Sequence, residues 1–161
     1  INFIEAKGSQ KSNCDLSLNI FDSFIARFKL QDEVNLAKWY KTDLEKNDFQ
    51  YKYHIAKIQE TDDFEEQIKI SKDEFILGIR PEFVKPCKDG IIEGEIYSTM
   101  PTGMETTIKI KIGQFLLTSV VFGGIIYKIG EKIKITFEGN SLLLFSRKNG
   151  RLISLGSVEI E

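Results

Sequence analysis

The chain has 161 residues, enough for one domain or for two small lobes that share a core. Hydrophobic residues make up 42% of it, and 22 basic against 24 acidic residues give a net charge of -2. This balance argues against a general nucleic-acid binder, and the apolar runs are far shorter than the roughly 20 residues that a membrane-spanning helix needs. Because the chain starts at Ile1 and lacks a signal-peptide pattern, we expect a fragment or a processed product.

The charge changes along the chain near residue 75. Residues 1–75 carry 11 Lys/Arg and 15 Asp/Glu, whereas residues 76–161 carry 11 and 9. We therefore expect a first lobe at 1–75 and a second lobe at 76–161, packed together as one unit. Cys14 and Cys87 lie far apart in sequence, and in a cytoplasmic protein both are expected to be free thiols.

Alternating apolar residues predict several short strands in the first lobe. The clearest runs are residues 16–20 and 24–30, joined by a hairpin connection at residues 21–23. Residues 8–13 are polar and begin with a glycine, which predicts a turn or loop. Shorter runs predict further strands at residues 1–4, 51–55 and 68–70.

Residues 32–46 have a helical pattern instead. Apolar residues recur at spacings of three and four, among them Val34, Ala37 and Tyr40, and glycine and proline are absent. Asp32 is the predicted N-cap. The pattern predicts one helix of about four turns whose aromatic residues pack into the core.

Residues 77–82, Leu-Gly-Ile-Arg-Pro-Glu, predict a strand with a defined end. Apolar residues alternate on one face, and Gly78 on the other face leaves room for another backbone to approach. Pro81 removes a ladder donor and biases Arg80 towards an extended conformation, so the strand should stop there.

The second lobe is denser in strand signals. Residues 106–112 show the cleanest alternation, with isoleucines inside and lysines outside. Gly94 indicates a bulge or a close approach, and residues 101–103 predict a turn. Many short strands separated by glycine turns predict a mainly β fold, an antiparallel barrel or sandwich. Further strands are predicted at residues 91–97, 114–122, 132–137, 142–145 and 152–155.

Several of these segments resemble, in order, the C-terminal regulatory region of ATP-binding-cassette (ABC) ATPases that serve sugar importers. Residues 77–82 resemble its LGIRPE segment, and Asn2-Phe3 resembles the Asn-Phe pair that opens that region. Residues 93–96 resemble the first strand of its TOBE module, an OB-like β-barrel, and residues 103–106 resemble a Gly-x-Glu-Thr turn. Residues 129–133 and 140–145 resemble later steps of the module. The structural or interface candidates on these motifs are Asn2, Phe3, Gly78, Arg80, Pro81, Glu82, Gly94, Gly103, Glu105 and Thr106.

The resemblance implies a non-catalytic module with an OB-like antiparallel barrel and one inserted helix near residues 32–46. Its parent ATPase would bind ATP and Mg²⁺ in another domain and take part in carbohydrate or related solute uptake. The module would tether two subunits as a homodimer on the cytoplasmic side of the cell membrane and accept regulatory proteins. Permease subunits would be contacted through the parent protein. For the chain itself we expect no cofactor, metal, nucleic acid or direct membrane insertion. Because Asn2-Phe3 and residues 77–82 are further apart than in the family, we place the extra residues in the helix.

Three other features are weaker candidates for chemistry. Residues 8–12 contain Gly, Lys and Ser but not the Gly-x4-Gly-Lys-Ser/Thr pattern of a phosphate loop. His54 is the only histidine and has no second metal ligand at a suitable spacing. The acidic residues 62–66 lack the glycine of a calcium loop, so a solvated loop is expected there.

Alternatives stay open at the remaining positions. Arg80 and Glu82 either form a local charged pair that pins the junction between lobes or contribute to a ligand site. Glu105 either caps its turn or contacts a dimer partner. A second functional hypothesis is an OB-like domain that senses a small oxyanion or a sugar directly. The outward lysines would then bind the ligand rather than only keep the strands soluble; they are Lys109, Lys111, Lys132 and Lys134.

Overall fold

A computed structural model describes residues 1–42, 53–58, 73–123 and 125–161. Among these residues, no helix is long and apolar enough to cross a membrane. Besides a short 3-10 turn at Pro81–Phe83, the described residues form one helix and eleven strands. In chain order they are β1 (Asn2–Ser12), β2 (Asp15–Ile20), β3 (Phe24–Leu30), α1 (Leu36–Thr42), β4 (Glu74–Ile79), β5 (Val84–Pro86), β6 (Ile92–Pro101), β7 (Glu105–Ile112), β8 (Phe115–Phe122), β9 (Lys132–Phe137), β10 (Leu142–Ser146) and β11 (Leu152–Ile160).

The first sheet is a closed antiparallel barrel. Its strands follow the order β1, β2, β3, β11, β10 and β4, and β4 pairs with β1 to complete the circle. The predicted hairpin at residues 21–23 is confirmed, since Ile20 pairs with Phe24 across it. The alternating residues of β2 and β3 face the core, as predicted, with Leu16 and Phe28 fully buried.

The second sheet is a nearly closed barrel with the order β5, β9, β6, β7, β8. Its two edge strands are joined by the buried hydroxyl of Ser119 on β8, which donates a hydrogen bond to the carbonyl of Val84 on β5. The core face carries the isoleucines predicted to lie inside, among them Ile108 and Ile110. The fold is therefore mainly β, with antiparallel barrel sheets and one described helix, consistent with the predicted OB-like architecture.

The predicted division into residues 1–75 and 76–161 does not coincide with the two sheets. Residue 75 lies inside β4, and β10 and β11, near the end of the chain, belong to the closed barrel. The second sheet is therefore built between residues 84 and 137. Alternation along a sequence identifies a strand and its buried face, but it does not select the partner strand, so the return of the chain to the first sheet was not predictable. Buried residues of both sheets form one hydrophobic cluster.

Two predictions in the first half are wrong. Residues 8–13 are not a loop, because β1 continues to Ser12 and pairs with β2. At Gly8 the backbone of β2 comes so close that an added Cβ would lie 1.8 Å from the carbonyl oxygen of Ser17. Of the strand predicted at residues 51–55, residues 53–55 are irregular, and residues 51–52 lie outside the described residues. The strand predicted at 68–70 and the acidic residues 62–66 lie outside the described residues.

The helix is present but begins four residues later than predicted, at Leu36 instead of Asp32. Asn35, not Asp32, is the N-cap, since its side-chain oxygen accepts a hydrogen bond from the backbone N–H of Lys38 at 3.2 Å. The aromatic residues pack against the core as predicted, since Tyr40 is buried and Trp39 is partly buried against it. Leu36 is buried as well, whereas Ala37 is exposed. Residues 43–46 lie outside the described residues.

The segment at residues 77–82 ends its strand where the proline predicts. β4 stops at Ile79, Arg80 is extended, and Pro81 begins the 3-10 turn. The strand differs from the prediction in that residues 75–79 are all buried, so both of its faces are covered. At Gly78 the close neighbours are side chains rather than another backbone, and an added Cβ would lie 3.1 Å from the ring of Phe145.

Candidate functional site

The carboxamide of Asn2 joins the two sheets. Its Nδ2 donates to the carbonyl of Thr118 on β8 at 2.8 Å and to the carbonyl of Ile79 on β4 at 3.2 Å. Its Oδ1 accepts from the backbone N–H of Thr118 at 2.8 Å. Asn2 is itself 9% exposed. One side chain of the closed barrel therefore hydrogen-bonds to β8 as a neighbouring strand would.

A second contact covers the same edge of β8. Leu116 donates its backbone N–H to the carbonyl of Ala56 at 2.9 Å, and Ile58 donates to the carbonyl of Gln114 at 3.0 Å. Lys57 lies opposite Phe115 in an isolated bridge, with its ammonium 5.6 Å from the ring centroid. Residues 56–58 and Asn2 thus satisfy backbone groups that an edge strand otherwise offers to another chain.

We call the contact of Asn2 with Thr118 and Ile79 the joint. An aromatic cluster covers the outer face of the closed barrel beside it. The ring centroid of Phe3 lies 5.1 Å from that of Tyr53 and 6.4 Å from that of Phe145, and the last two are 5.7 Å apart. The Tyr53 hydroxyl donates to the carbonyl of Gly150 at 3.1 Å. Phe3 pairs with Gly78 in the β1–β4 ladder. The joint is therefore a packed structural site at which Asn2, Phe3 and Gly78 meet.

The charged residues of the segment at residues 77–82 do not form the pair that the sequence suggested. Arg80 is exposed, Glu82 is half-buried, and no ion pair joins them within the part of the chain that the structure describes. Pro81 lies in the 3-10 turn that packs beside β8. The turn carries the chain from the closed barrel into the second sheet.

Three other sequence candidates lie at the far end of the second sheet. Gly103, with φ at 92°, turns the chain from β6 into β7, and Thr106 is buried in β7. The turn is closed by the backbone carbonyl of Glu105, which accepts a hydrogen bond from the N–H of Thr102 at 2.8 Å. Within the described residues no hydrogen bond or ion pair engages the Glu105 carboxylate, so the turn is closed by the backbone of Glu105 and not by a carboxylate cap. Gly94 lies on β6 instead, where an added Cβ would be 2.5 Å from a methyl group of Ile110.

The lysines predicted to face outward do so. Lys109, Lys111, Lys132 and Lys134 are all exposed on β7 and β9. Acidic residues of β6 lie opposite three of them in register, with Glu95 opposite Lys111 and Lys132 and Glu93 opposite Lys134, whereas Lys109 lies opposite Ser98. The alternation of charges matches a solvated sheet face and gives an oxyanion no concentrated positive field.

A cleft of about 520 Å³ lies on the outside of the closed barrel, where the start of β8 approaches it. The Arg147 guanidinium is 3.6 Å from the Glu5 carboxylate at its rim. Phe21 and Phe115, with ring centroids 5.6 Å apart, form its apolar floor. Three carboxylates and two cations line the cleft, which favours hydroxyl or ammonium groups over an oxyanion; the other charged residues are Lys7, Asp22 and Glu74. A wider groove of about 700 Å³ separates β5 and β9 from β3 and β11.

The two cysteines and the histidine lie in different parts of the fold. Cys14 and Cys87 are free thiols, as predicted. Partial burial, and next the carboxylate of Glu33, raise the pKa of the Cys14 thiol, so the less nucleophilic protonated form is favoured. His54 is exposed on the irregular segment. Within the described ranges no three potential metal ligands come together.

No family model matches the chain, and no curated protein matches it either. The resemblance to importer ATPases therefore rests on the short sequence motifs alone.

Sequence reasoning missed the partners of the joint. Thr118 offers only backbone atoms, which carry no residue-type signal. Gln10 was also missed: its side chain accepts from the N–H of Leu36 at 3.0 Å and donates to the carbonyl of Val34, fixing the start of α1 against β1. A polar residue inside a strand gives no indication of such a contact.

Proposed function

We propose that this chain is the non-catalytic C-terminal regulatory region of an ABC importer ATPase that serves uptake of a carbohydrate or a related solute. In this role it tethers two ATPase subunits and accepts regulatory proteins on the cytoplasmic face of the membrane. ATP and Mg²⁺ bind elsewhere in the parent protein, and permease subunits are contacted through it.

The observation that carries the proposal is the pairing of two segments that resemble this family. Asn2 lies opposite Ile79 and Phe3 lies opposite Gly78 in the antiparallel ladder between β1 and β4. The hydrogen bond from Asn2 to Ile79 spans 77 residues of sequence. Asn2-Phe3 and residues 77–82 are distant in sequence and adjacent in the fold, as expected if both belong to one structural unit of the family. Two chance similarities would not be expected to lie side by side.

The joint suits a tether mechanically. In such a parent, the polypeptide that precedes β1 would enter where Asn2 holds both sheets. A displacement of the ATPase domain would then reach the closed barrel and the second sheet together, since buried hydrogen bonds and aromatic packing resist deformation. A contact made on either sheet could bias the open or closed dimer without touching ATP, which is the coupling that allosteric control requires.

The coding sequence upstream of Ile1 tests the family assignment. We expect a phosphate-loop ATPase domain that ends just before Asn2-Phe3, and an unrelated upstream sequence would overturn the proposal. Sedimentation equilibrium of the parent with and without residues 1–161 then tests the tether. The intact parent should dimerise without nucleotide, and the truncated parent should be monomeric.

Direct sensing of a small ligand is a second candidate function, favoured by the cleft beside Arg147. Its volume lies in the range of small-molecule sites, about 300–1,000 Å³. Thermal-shift screening with sugars, glycerol phosphates and oxyanions tests it. A stabilising sugar whose effect is lost in Arg147→Ala but kept in Lys109→Ala and Lys111→Ala would support the cleft. An oxyanion whose effect depends on Lys109 or Lys111 would place the site on the sheet face instead.

A further inference from the structure

Three large apolar side chains are exposed together at the far end of the second sheet. Met100 is the second-to-last residue of β6, Met104 lies on the turn before β7, and Phe122 ends β8, with 64%, 87% and 62% of their surfaces exposed. We call these three residues the hairpin-tip patch.

Strand register places the members of the patch side by side. Phe122 pairs with Glu105 on β7, and the backbone N–H of Gly123 donates to the carbonyl of Met104 at 2.9 Å. Met100 lies opposite Thr107 on the other side of β7. Because partners in register share a face of the sheet, Met100 and Phe122 flank the outer face of β7, and Met104 lies at its tip.

The exposed area is larger than scattered apolar residues account for. Single exposed hydrophobic residues are normal in folded proteins. At about 150–250 Å² for a large side chain, the exposed fractions correspond to roughly 300–500 Å² of apolar surface. The largest patch on a typical monomer is about 300–600 Å² and is often functional. This size fits a short segment of a partner better than a complete globular interface, which buries about 800 Å² on each side.

The charge within the patch selects the kind of partner. Glu105 lies opposite Phe122, and its carboxylate has no hydrogen bond or ion pair to any residue that the structure describes. The exposed lysines of the same face, Lys109 and Lys111, lie further along β7, so at the hairpin tip an anionic lipid surface would meet this carboxylate first. A second copy docked about a two-fold axis would bring two Glu105 side chains towards each other. An apolar segment that carries a cation meets neither obstacle.

We propose that the hairpin-tip patch binds an apolar segment of another protein that carries a lysine or arginine, with Glu105 as the ionic partner of that cation. Met100, Met104 and Phe122 supply the apolar contact, and the unbranched methionines can adapt to the side chains they meet. The proposal rests on exposure and charge alone, so it holds whether or not the chain belongs to an importer ATPase.

Selection from a library of random short peptides tests the proposal with the whole chain as bait. We expect the selected peptides to combine apolar residues with Lys or Arg. A synthetic copy of one of them should bind about tenfold more weakly to Phe122→Ser and Met104→Ser. Ile91→Ser, the same change at an exposed apolar residue outside the patch (53% exposed), should leave the affinity unchanged. Circular dichroism verifies that each variant is folded.

The charge-swap variant Glu105→Lys distinguishes the alternatives. It should lose the basic peptides and select acidic ones, an inversion that a purely apolar contact would not produce. Selection of the same peptides by both proteins would overturn the role of Glu105. Binding of phosphatidylserine vesicles that is lost in Phe122→Ser would overturn the peptide proposal in favour of a lipid surface. Dimerisation that is lost in Met104→Ser would overturn it in favour of a second copy.

Discussion

The side chain of Asn2 and the backbone of Thr118 exchange two hydrogen bonds of 2.8 Å each. This is the pattern that one residue of a strand makes with its neighbour in a sheet, formed here by a carboxamide. The carboxamide therefore attaches β8, an edge strand of the second sheet, to β1 of the closed barrel, although β1 and β8 share no ladder of backbone hydrogen bonds. The position of Asn2 at the start of β1 thus determines how the two sheets are attached.

Removal of the Asn2 carboxamide should destabilise the protein. In Asn2→Ala the N–H and C=O of Thr118 lose their partner at a part-buried site, and unsatisfied groups of this kind cost about 1–3 kcal/mol. Asn2→Asp should be at least as harmful, because a carboxylate cannot donate to the carbonyls of Thr118 and Ile79. The free energy of unfolding from urea titration measures both. Asn19→Ala, at an exposed position on β2, is the matched control and should change it by less than about 0.5 kcal/mol.

Gly8 should tolerate no side chain. An added Cβ would lie 1.8 Å from the carbonyl oxygen of Ser17, and because that atom is backbone, the β1–β2 ladder would have to separate. Overpacking typically costs about 1–3 kcal/mol and occasionally more, so Gly8→Ala should be at or above the upper end. Gly113→Asn is the control: its Cβ has no atom within 4 Å, and asparagine accepts the positive φ of 59°. Equal midpoints of urea unfolding for the two variants would contradict the close approach.

The losses of stability caused by removing the Tyr40 and Ser146 hydroxyls should not be additive. Their hydroxyl oxygens are 2.9 Å apart in the core and link α1 to β10, 106 residues away. Tyr40→Phe leaves the fully buried Ser146 hydroxyl without this partner and should cost about 1–2 kcal/mol. In the double variant Tyr40→Phe/Ser146→Ala no orphaned hydroxyl remains, so the loss should be smaller than the sum of the single losses. Strictly additive values in the double-mutant cycle would contradict a shared hydrogen bond.

Local signals in the sequence predicted much of the fold, and long-range pairing accounts for what they missed. Alternation placed β2, β3 and β7 and their buried faces, and Pro81 marked the end of β4, because these depend on neighbours along the chain. The extension of β1 through Gly8 depends on how closely β2 approaches, and the return of β11 to the first sheet depends on partner choice. At the joint, Asn2, Phe3 and Gly78 were identified by resemblance, whereas Thr118 and Tyr53 contribute through the tertiary fold alone.

Alkaline pH should destabilise the protein partly through Tyr40. Burial raises the pKa of its phenol above the ordinary value of 10.0, although the hydrogen bond with Ser146 opposes the shift. The unfolded chain therefore releases this proton at a lower pH than the folded protein does. The stabilisation is fully present below pH 10.0 and is lost as the pH rises from there through the raised pKa. Stability measured against pH should thus fall less steeply above pH 10.0 in Tyr40→Phe than in the wild type. Burial and the Glu131 carboxylate raise the pKa of the half-buried Tyr127 in the same direction, so Tyr127→Phe should remove a separate part of the slope. An unchanged slope in Tyr40→Phe would show that the folded protein ionises this phenol as readily as the unfolded chain does.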